Sequence, residues 1–222
     1  MSHHQDIPCP EPASDSDLSH VYWMGGSPCC GKSTISDRIA DRYGMRVYRC
    51  DDAYEVHTRL VTREEHPVFS RLVNATTDEV WLRPVPQQID EEMALYREEF
   101  SVILEDLRAL PQDQPIIAEG AALLPELLSR IGIDGCRMIW MVPTEEFQVS
   151  HYSRRSWRHD ILRACSDPEQ AWNNWMARDA GFAREVTLQA YRLGLNLITV
   201  DGSQSIEDTL MHVCDHWQLP SS

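Results

Sequence analysis

The amino-acid sequence predicts a three-layer α/β fold, a five-stranded parallel sheet with helices on both faces. Three observations predict it. Short apolar runs recur at 20–24, 46–50, 115–120, 137–142 and 195–200, the pattern of strands covered on both sides. Helical segments separate them, each crossover long enough to be right-handed, as parallel neighbours require. A glycine-bounded segment, Gly26-Ser27-Pro28-Cys29-Cys30-Gly31-Lys32-Ser33, joins the first strand to the first helix.

Taken in order, residues 1–19 are rich in Pro, Ser, Asp and His and lack hydrophobic periodicity, so they are expected to form a mobile tail before a single domain over 20–217. The strand at 20–24 runs into the glycines. A helix over 32–43 places Ile35, Ile39, Ala40 and Tyr43 on one face and stops at Gly44. The second strand ends at Asp51-Asp52. Residues 88–110 carry Ile89, Met93, Tyr96, Phe100, Ile103, Leu107 and Leu110 at spacings of three and four, the clearest amphipathic helix in the chain. Thr144 caps the helix after the fourth strand, with Glu145 and Glu146 in its first turn. Asp167-Pro168-Glu169-Gln170 opens another helix, its apolar stripe running through Trp172, Trp175, Met176, Phe182, Ala183, Val186, Ala190 and Leu193 to Gly194. That stripe reads as packing. The fifth strand closes at Asp201-Gly202, and a helix over 205–217 completes the domain.

Composition narrows the function classes. A chain of 222 residues with 42% hydrophobic and 25% charged residues builds one α/β domain with insertions, and no apolar run spans a bilayer. The net charge of −15 argues against nucleic acid and anionic membranes as partners, because both need an electropositive face. Seven cysteines without metal-ligand spacing or a secretory signal point to reduced thiols and a cytoplasmic location. A homodimer is left open.

The glycine-bounded segment matches the G-x-x-x-x-G-K-[ST] phosphate-binding loop. Gly26 and Gly31 would let main-chain amides turn inward at an anion, and the helix N-terminus would add its partial positive charge. Lys32 is the only lysine among the 20 basic residues. A compact ammonium on a flexible stem can reach between β- and γ-phosphates where a planar guanidinium would not fit. Ser33, with Thr34 beside it, is placed to ligate Mg²⁺. Cys29 and Cys30 are either small residues that fill the loop or thiols that the surrounding amides bias toward thiolate.

In a parallel sheet the ligand lies beyond the carboxyl ends of the strands. Asp51 and Asp52 after the second strand are therefore candidates for holding a reacting hydroxyl or magnesium-bound water, Asp51 being preferred. The plainer role for this pair is a helix cap before Ala53. Glu119, between an apolar strand and Gly120, is expected to reach magnesium through water. Arg154, Arg155 and Arg158, read as one helix, form a cluster whose repulsion an anion would relieve; pairing with Glu145, Glu146 and Asp160 is the plainer account. No Asn-Lys-x-Asp guanine signature is present, nor an apolar run followed by Asp-Glu, which lowers switch GTPases and motor ATPases.

A phosphate loop after strand one, an acid after strand two, an arginine-rich segment after strand four and a small turn after strand five resemble the nucleoside monophosphate kinase-like small kinases, which include shikimate kinase, gluconate kinase and chloramphenicol phosphotransferase. The resemblance spans about residues 20–217 and implies a P-loop NTP-binding fold that moves the γ-phosphate of ATP, with Mg²⁺, to a small-molecule acceptor. It implies that Gly26, Ser27, Pro28, Cys29, Cys30, Gly31, Lys32, Ser33 and Thr34 hold the nucleotide. By the same resemblance Gly202 in the turn Asp201-Gly202-Ser203 borders the adenine, and about 148–165 forms a lid carrying Arg154, Arg155 and Arg158. About 53–88 would form the acceptor-binding insert with His57 and Arg59; its arginines and Trp81 suit a nucleoside, a sugar or an acidic metabolite. After strand three the chain reads Glu119-Gly120-Ala121-Ala122-Leu123 where adenylate kinases carry Asp-Gly-aromatic-Pro-Arg, so adenylate kinase activity is not expected. Two alternatives stand beside the metabolite kinase. One is a nucleotide-binding regulator or slow NTPase whose arginines dock a partner; the other is a kinase acting on nucleic acid ends or nucleotide sugars.

Overall fold

The computed structural model describes residues 18–220. The expected tail falls almost entirely outside them. Leu18, assigned to that tail, is instead buried in the core, and its carbonyl accepts from the Val21 amide at 3.0 Å.

Strand β1 (Val21–Gly26) leads to α1 (Lys32–Tyr43) and β2 (Arg46–Arg49). The insert then forms α2 (Cys50–His57), α3 (Pro67–Val73) and α4 (Thr77–Trp81) before the long α5 (Val85–Ala109). Strand β3 (Ile116–Glu119), α6 (Pro125–Arg130), β4 (Met138–Pro143), α7 (Glu145–Ser153), α8 (Arg158–Leu162), α9 (Pro168–Leu193), β5 (Leu197–Val200) and α10 (Ile206–His216) follow. The sheet order is β2-β3-β1-β4-β5, with every pairing parallel. From β1 the chain crosses to one side, toward β2, whereas from neighbouring β4 it continues to the other, toward β5. Their carboxyl ends therefore form a topological switch point, where such sheets open a crevice.

Side-chain alternation along the strands explains the two helical layers. Val21 and Trp23 of β1, Ile116 and Ala118 of β3, and Met138, Trp140 and Val142 of β4 enter one core with residues of α5, α6 and α9. The intervening Met24, Ile117, Ile139 and Met141 enter the opposite core with α1 and α10. A period of two distributes apolar residues to both faces, so the central strands β1, β3 and β4 are largely apolar and each face needs its own helices.

Helix boundaries agree with the sequence signals to within a few residues. Gly44 and Gly194 close α1 and α9, while Thr144, Asp167 and Ser205 cap α7, α9 and α10 through side-chain oxygens. Two differences affect the site. Helix α2 begins at Cys50 directly off β2, so Asp51 and Asp52 lie in its first turn and do not cap it from outside. The arginine cluster is not one helix: α7 ends at Ser153 and α8 starts at Arg158, so Arg154 and Arg158 do not share a helical face. Local turn geometry overrode the helical spacing assumed for that segment.

Gly26 sets how closely the loop after β1 can approach β4. Its φ is +122°, and a Cβ there would lie 1.9 Å from the Met141 carbonyl oxygen. Gly26→Ala is expected to destabilise the domain by about 3 kcal/mol through overpacking and backbone strain, read by urea unfolding. A change below about 0.5 kcal/mol would show that the close approach is not required.

Candidate functional site

The loop between β1 and α1 is built to receive an anion. The Ser27 amide donates to Met141 O at 3.1 Å and the Ile35 amide to Gly31 O at 3.1 Å. No main-chain amide between them donates to another main-chain group among the described residues. A run of uncommitted amides at a helix N-terminus is an anion site by geometry and dipole. Lys32, 8% exposed, spans the loop, its Nζ donating to Ser27 O at 2.8 Å and Gly26 O at 3.2 Å. Burial works against its charge, but Cys30 and the Glu119 and Asp51 carboxylates more than offset this and raise its pKa above the ordinary lysine value. The ammonium is secure.

Glu119 leaves β3 5% exposed, with Arg49 Nε at 3.6 Å. Burial raises its pKa, opposed by Lys32 and by a hydrogen bond with Ser33. Ser33 and Glu119 thus bring two hard oxygen donors together at the mouth of the loop, a donor pair suited to Mg²⁺. Among the described residues no group of three or more His, Cys, Asp or Glu side chains is arranged to hold a metal alone. Cys29 is not a thiolate. Burial pushes the Cys29 thiol up to about 11, and Cys30 Sγ donates to Ser27 O at 3.0 Å.

A cavity of about 380 Å³ opens beside the loop, lined by Asp51, Tyr54, Gln88, Glu92, Glu99 and Arg178 among others. Asp51 lies on its wall and Asp52 does not, which separates the two aspartates. Asp51 is also close enough to raise the pKa of Lys32, so cavity and loop meet at this residue. Neither His57 nor Arg59, expected at the acceptor, lines this cavity. His57 is fully buried, its Nδ1 2.8 Å from Glu99 and its Nε2 3.0 Å from Asp106, a bridge that fixes α2 to α5. Arg59 is exposed in the turn after α2 and pairs with Glu55 of that helix.

Of the three lid arginines, only Arg155 reaches the loop. It lies over the Tyr152 and Trp157 rings and lowers the Cys29 pKa through its charge. Arg154 is exposed and donates to Ser150 Oγ at 3.2 Å. Arg158 stacks 4.5 Å over Trp172 and lines a separate cavity with His159, Arg163 and Glu169. The turn after β5 lies at the same carboxyl edge of the sheet as the loop, with Phe147 of α7 packed 3.1 Å from where a Gly202 Cβ would sit.

The residues that sequence reasoning missed lie on α5 and α9. Gln88, Glu91, Glu92, Leu95, Tyr96 and Glu99 recur at helical spacing along the α5 stripe facing the cavity. Arg178 and Asp179 interrupt the apolar stripe of α9 between Met176 and Phe182, a charged pair inside a packed face that is itself a signal. Arg178 pairs with Asp179 at 2.6 Å and Glu92 at 3.3 Å and stacks on Trp81. Asp179 accepts from Tyr152 OH at 3.0 Å, and its carbonyl accepts from Ser27 Oγ at 3.5 Å. One helical step therefore ties together the loop, α7 and the cavity.

No family model and no curated protein sequence matches the chain. Solved structures of similar layout include a deoxyadenosine kinase from M. mycoides with the products dCMP and a flexible dCDP bound, at 14% identity over 89% of this chain and 98% of that one, TM-score 0.47. Another is shikimate kinase from Acinetobacter baumannii in complex with shikimate, at 18% identity over 88% of this chain and 90% of that one, TM-score 0.39. At these values the likeness carries nothing about what this chain acts on. The sheet order and the loop define its class as a P-loop-like α/β fold, and no helix among the described residues is long and apolar enough to cross a membrane.

Burial raises the Glu92 pKa from 4.5 to about 7, against the opposing charge of Arg178. Folding therefore favours the protonated carboxyl, and this contribution to stability is complete below pH 4.5 and lost as pH rises through about 7. Urea unfolding from pH 5 to 8 is expected to show wild type losing on the order of 2 kcal/mol relative to Glu92→Gln. Parallel pH curves for the two proteins would contradict the assignment.

Proposed function

We propose that the chain is an ATP-dependent phosphotransferase that moves the γ-phosphoryl group to a hydroxyl of a small metabolite. The observation that carries this reading is the position of Asp51, on the wall of a small-molecule cavity and within electrostatic reach of Lys32 and Glu119. A loop with uncommitted amides suits the nucleotide phosphates, and the cavity beside it suits an acceptor.

In this reading the amides between Ser27 and Ile35 and the Lys32 ammonium hold the β- and γ-phosphates, and Ser33 with Glu119 holds Mg²⁺, directly or through water. The metal would neutralise charge that develops on the phosphate oxygens. The Asp51 carboxylate accepts the acceptor's hydroxyl proton as its oxygen bonds to phosphorus and the bond to the leaving ADP breaks. Arg155, the lid arginine nearest the loop, adds positive charge for the transferring group. Gly202 and Phe147 border the region left for the base. Tyr152, Trp157 and the α9 tryptophans give the lid its own apolar packing, so it can shield the reaction from water as a unit.

Labelled ATP supplied with a metabolite panel tests the reading. Asp51→Asn is expected to lower transfer by roughly 10²–10⁴-fold with nucleotide binding retained. Lys32→Arg is expected to lower transfer by at least about 10²-fold, because the small space among Gly26 O, Ser27 O and Cys30 admits an ammonium and not a planar fork. Transfer that survives both substitutions would sink the mechanism. ATP hydrolysis insensitive to every acceptor would favour a slow NTPase.

A further inference from the structure

The cavity that opens at Asp51 limits the chemistry of its occupant. Its volume of about 380 Å³ falls within the range of small-molecule sites, about 300–1,000 Å³. Part of the wall is apolar and partly aromatic: Tyr54, Leu72, Val80, Leu95, Tyr96 and Ala122. The rest is polar, and the balance of those groups is lopsided.

Four carboxyl groups line the cavity, Asp51, Glu91, Glu92 and Glu99, against two guanidinium groups, Arg83 and Arg178. Both arginines are ion-paired, although Arg83 Nε makes no hydrogen bond. Arg83 is ion-paired with Glu91, which also holds Arg71 at 2.7 Å. Arg178 is held by Asp179 and Glu92 and lies against the Trp81 ring. The cationic partner of Glu99 is His57, which it shares with Asp106. An acceptor carrying phosphate or carboxylate would enter an acidic chamber whose cations are already engaged.

Gln88 supplies the independent observation. It lines the cavity 3% exposed, and its Nε2 donates to Arg83 O at 2.7 Å and Trp81 O at 3.1 Å. Those two carbonyls fix the amide orientation, since a flipped amide would set oxygen against oxygen. The buried Oε1 is left without a partner. Glu92 Oε2 likewise makes no hydrogen bond despite its ion pair with Arg178. Buried acceptors left open cost roughly 1–3 kcal/mol each unless a donor meets them.

We propose that this cavity binds a compact, ring-bearing hydroxyl compound that carries at least one amino donor and no phosphate or carboxylate, neutral or cationic overall. The proposal rests on the phosphotransferase reading for the use of the site, but the occupant's chemistry can be read separately from transfer.

The experiment uses the full chain with ATP and Mg²⁺ and matched probes. Cytidine and glucosamine carry the amino donor, uridine and glucose lack it, and CMP and glucosamine 6-phosphate add an acid. Binding of the same probes to Lys32→Ala is followed by calorimetry, where no transfer is expected. The amino compound of one pair is expected to exceed its amino-free counterpart at least about tenfold in kcat/KM, and its acid-bearing counterpart about 10²-fold. Which pair responds separates an aminated nucleoside from an amino sugar. Glu92→Gln is expected to raise KM about tenfold more for the amino compound than for the amino-free compound, with melting temperature confirming the fold. Amino-selective binding without transfer to any probe would end the phosphotransferase reading and uphold this one. Comparable use of the acid-bearing probes, or no selective binding of either amino probe, would overturn the proposal.

Discussion

Asp179 is buried beneath the junction of the three parts of the site, and each part depends on it. Its carboxylate takes the Arg178 guanidinium and the Tyr152 hydroxyl, and its main-chain carbonyl takes the Ser27 hydroxyl from the glycine loop. Removing one partner of such a buried pair is costly, commonly about 3–5 kcal/mol, because the remaining charge has no water to return to. Arg178 then carries the constraint into the cavity through Glu92 and Trp81. Charge pairing in a dry interior thus holds the loop, α7 and the cavity wall in one register. The apolar core alone, which is non-directional, would not.

A second network braces the opposite wall. His57 bridges Glu99 and Asp106, and Tyr48 OH reaches the same Asp106 oxygen at 2.8 Å, so β2, α2 and α5 are joined by hydrogen bonds. Burial opposes charge on His57, but its two carboxylate partners prevail and raise its pKa. The imidazole is a structural brace that holds α2, and with it Asp51, against the cavity. Its chemistry resembles that of a site residue, which is why type and position alone drew it into the acceptor assignment.

Local signals explain what the sequence made legible. The phosphate-loop pattern, the cap at Gly44, the side-chain cap at Asp167 and the apolar strands depend on neighbours within a few residues, so they can be read along the chain. The reading of the arginine cluster as one helix failed on the same ground. Arg154 and Arg158 stand one helical turn apart in number, but the helix breaks between them and only Arg155 faces the loop. The α5 stripe from Gln88 to Glu99 also has helical spacing, yet it lies beside a stronger apolar stripe and is noticeable only once the insert packs over it.

The amino-acid sequence by itself determined the alternating α/β layout, the glycine loop with its single lysine, and the acids placed after β2 and β3. Periodicity, glycine conformation and turn chemistry are short-range properties, which is the physical reason. Tertiary structure alone decided that Asp51 and not Asp52 faces the cavity, that His57 and Arg59 do not line it, and that Arg178 lines it while held by buried Asp179. Those outcomes depend on which long-range partner neutralises each charge after burial. Nothing along the chain specifies that partner until β2, α5 and α9 have packed around one space.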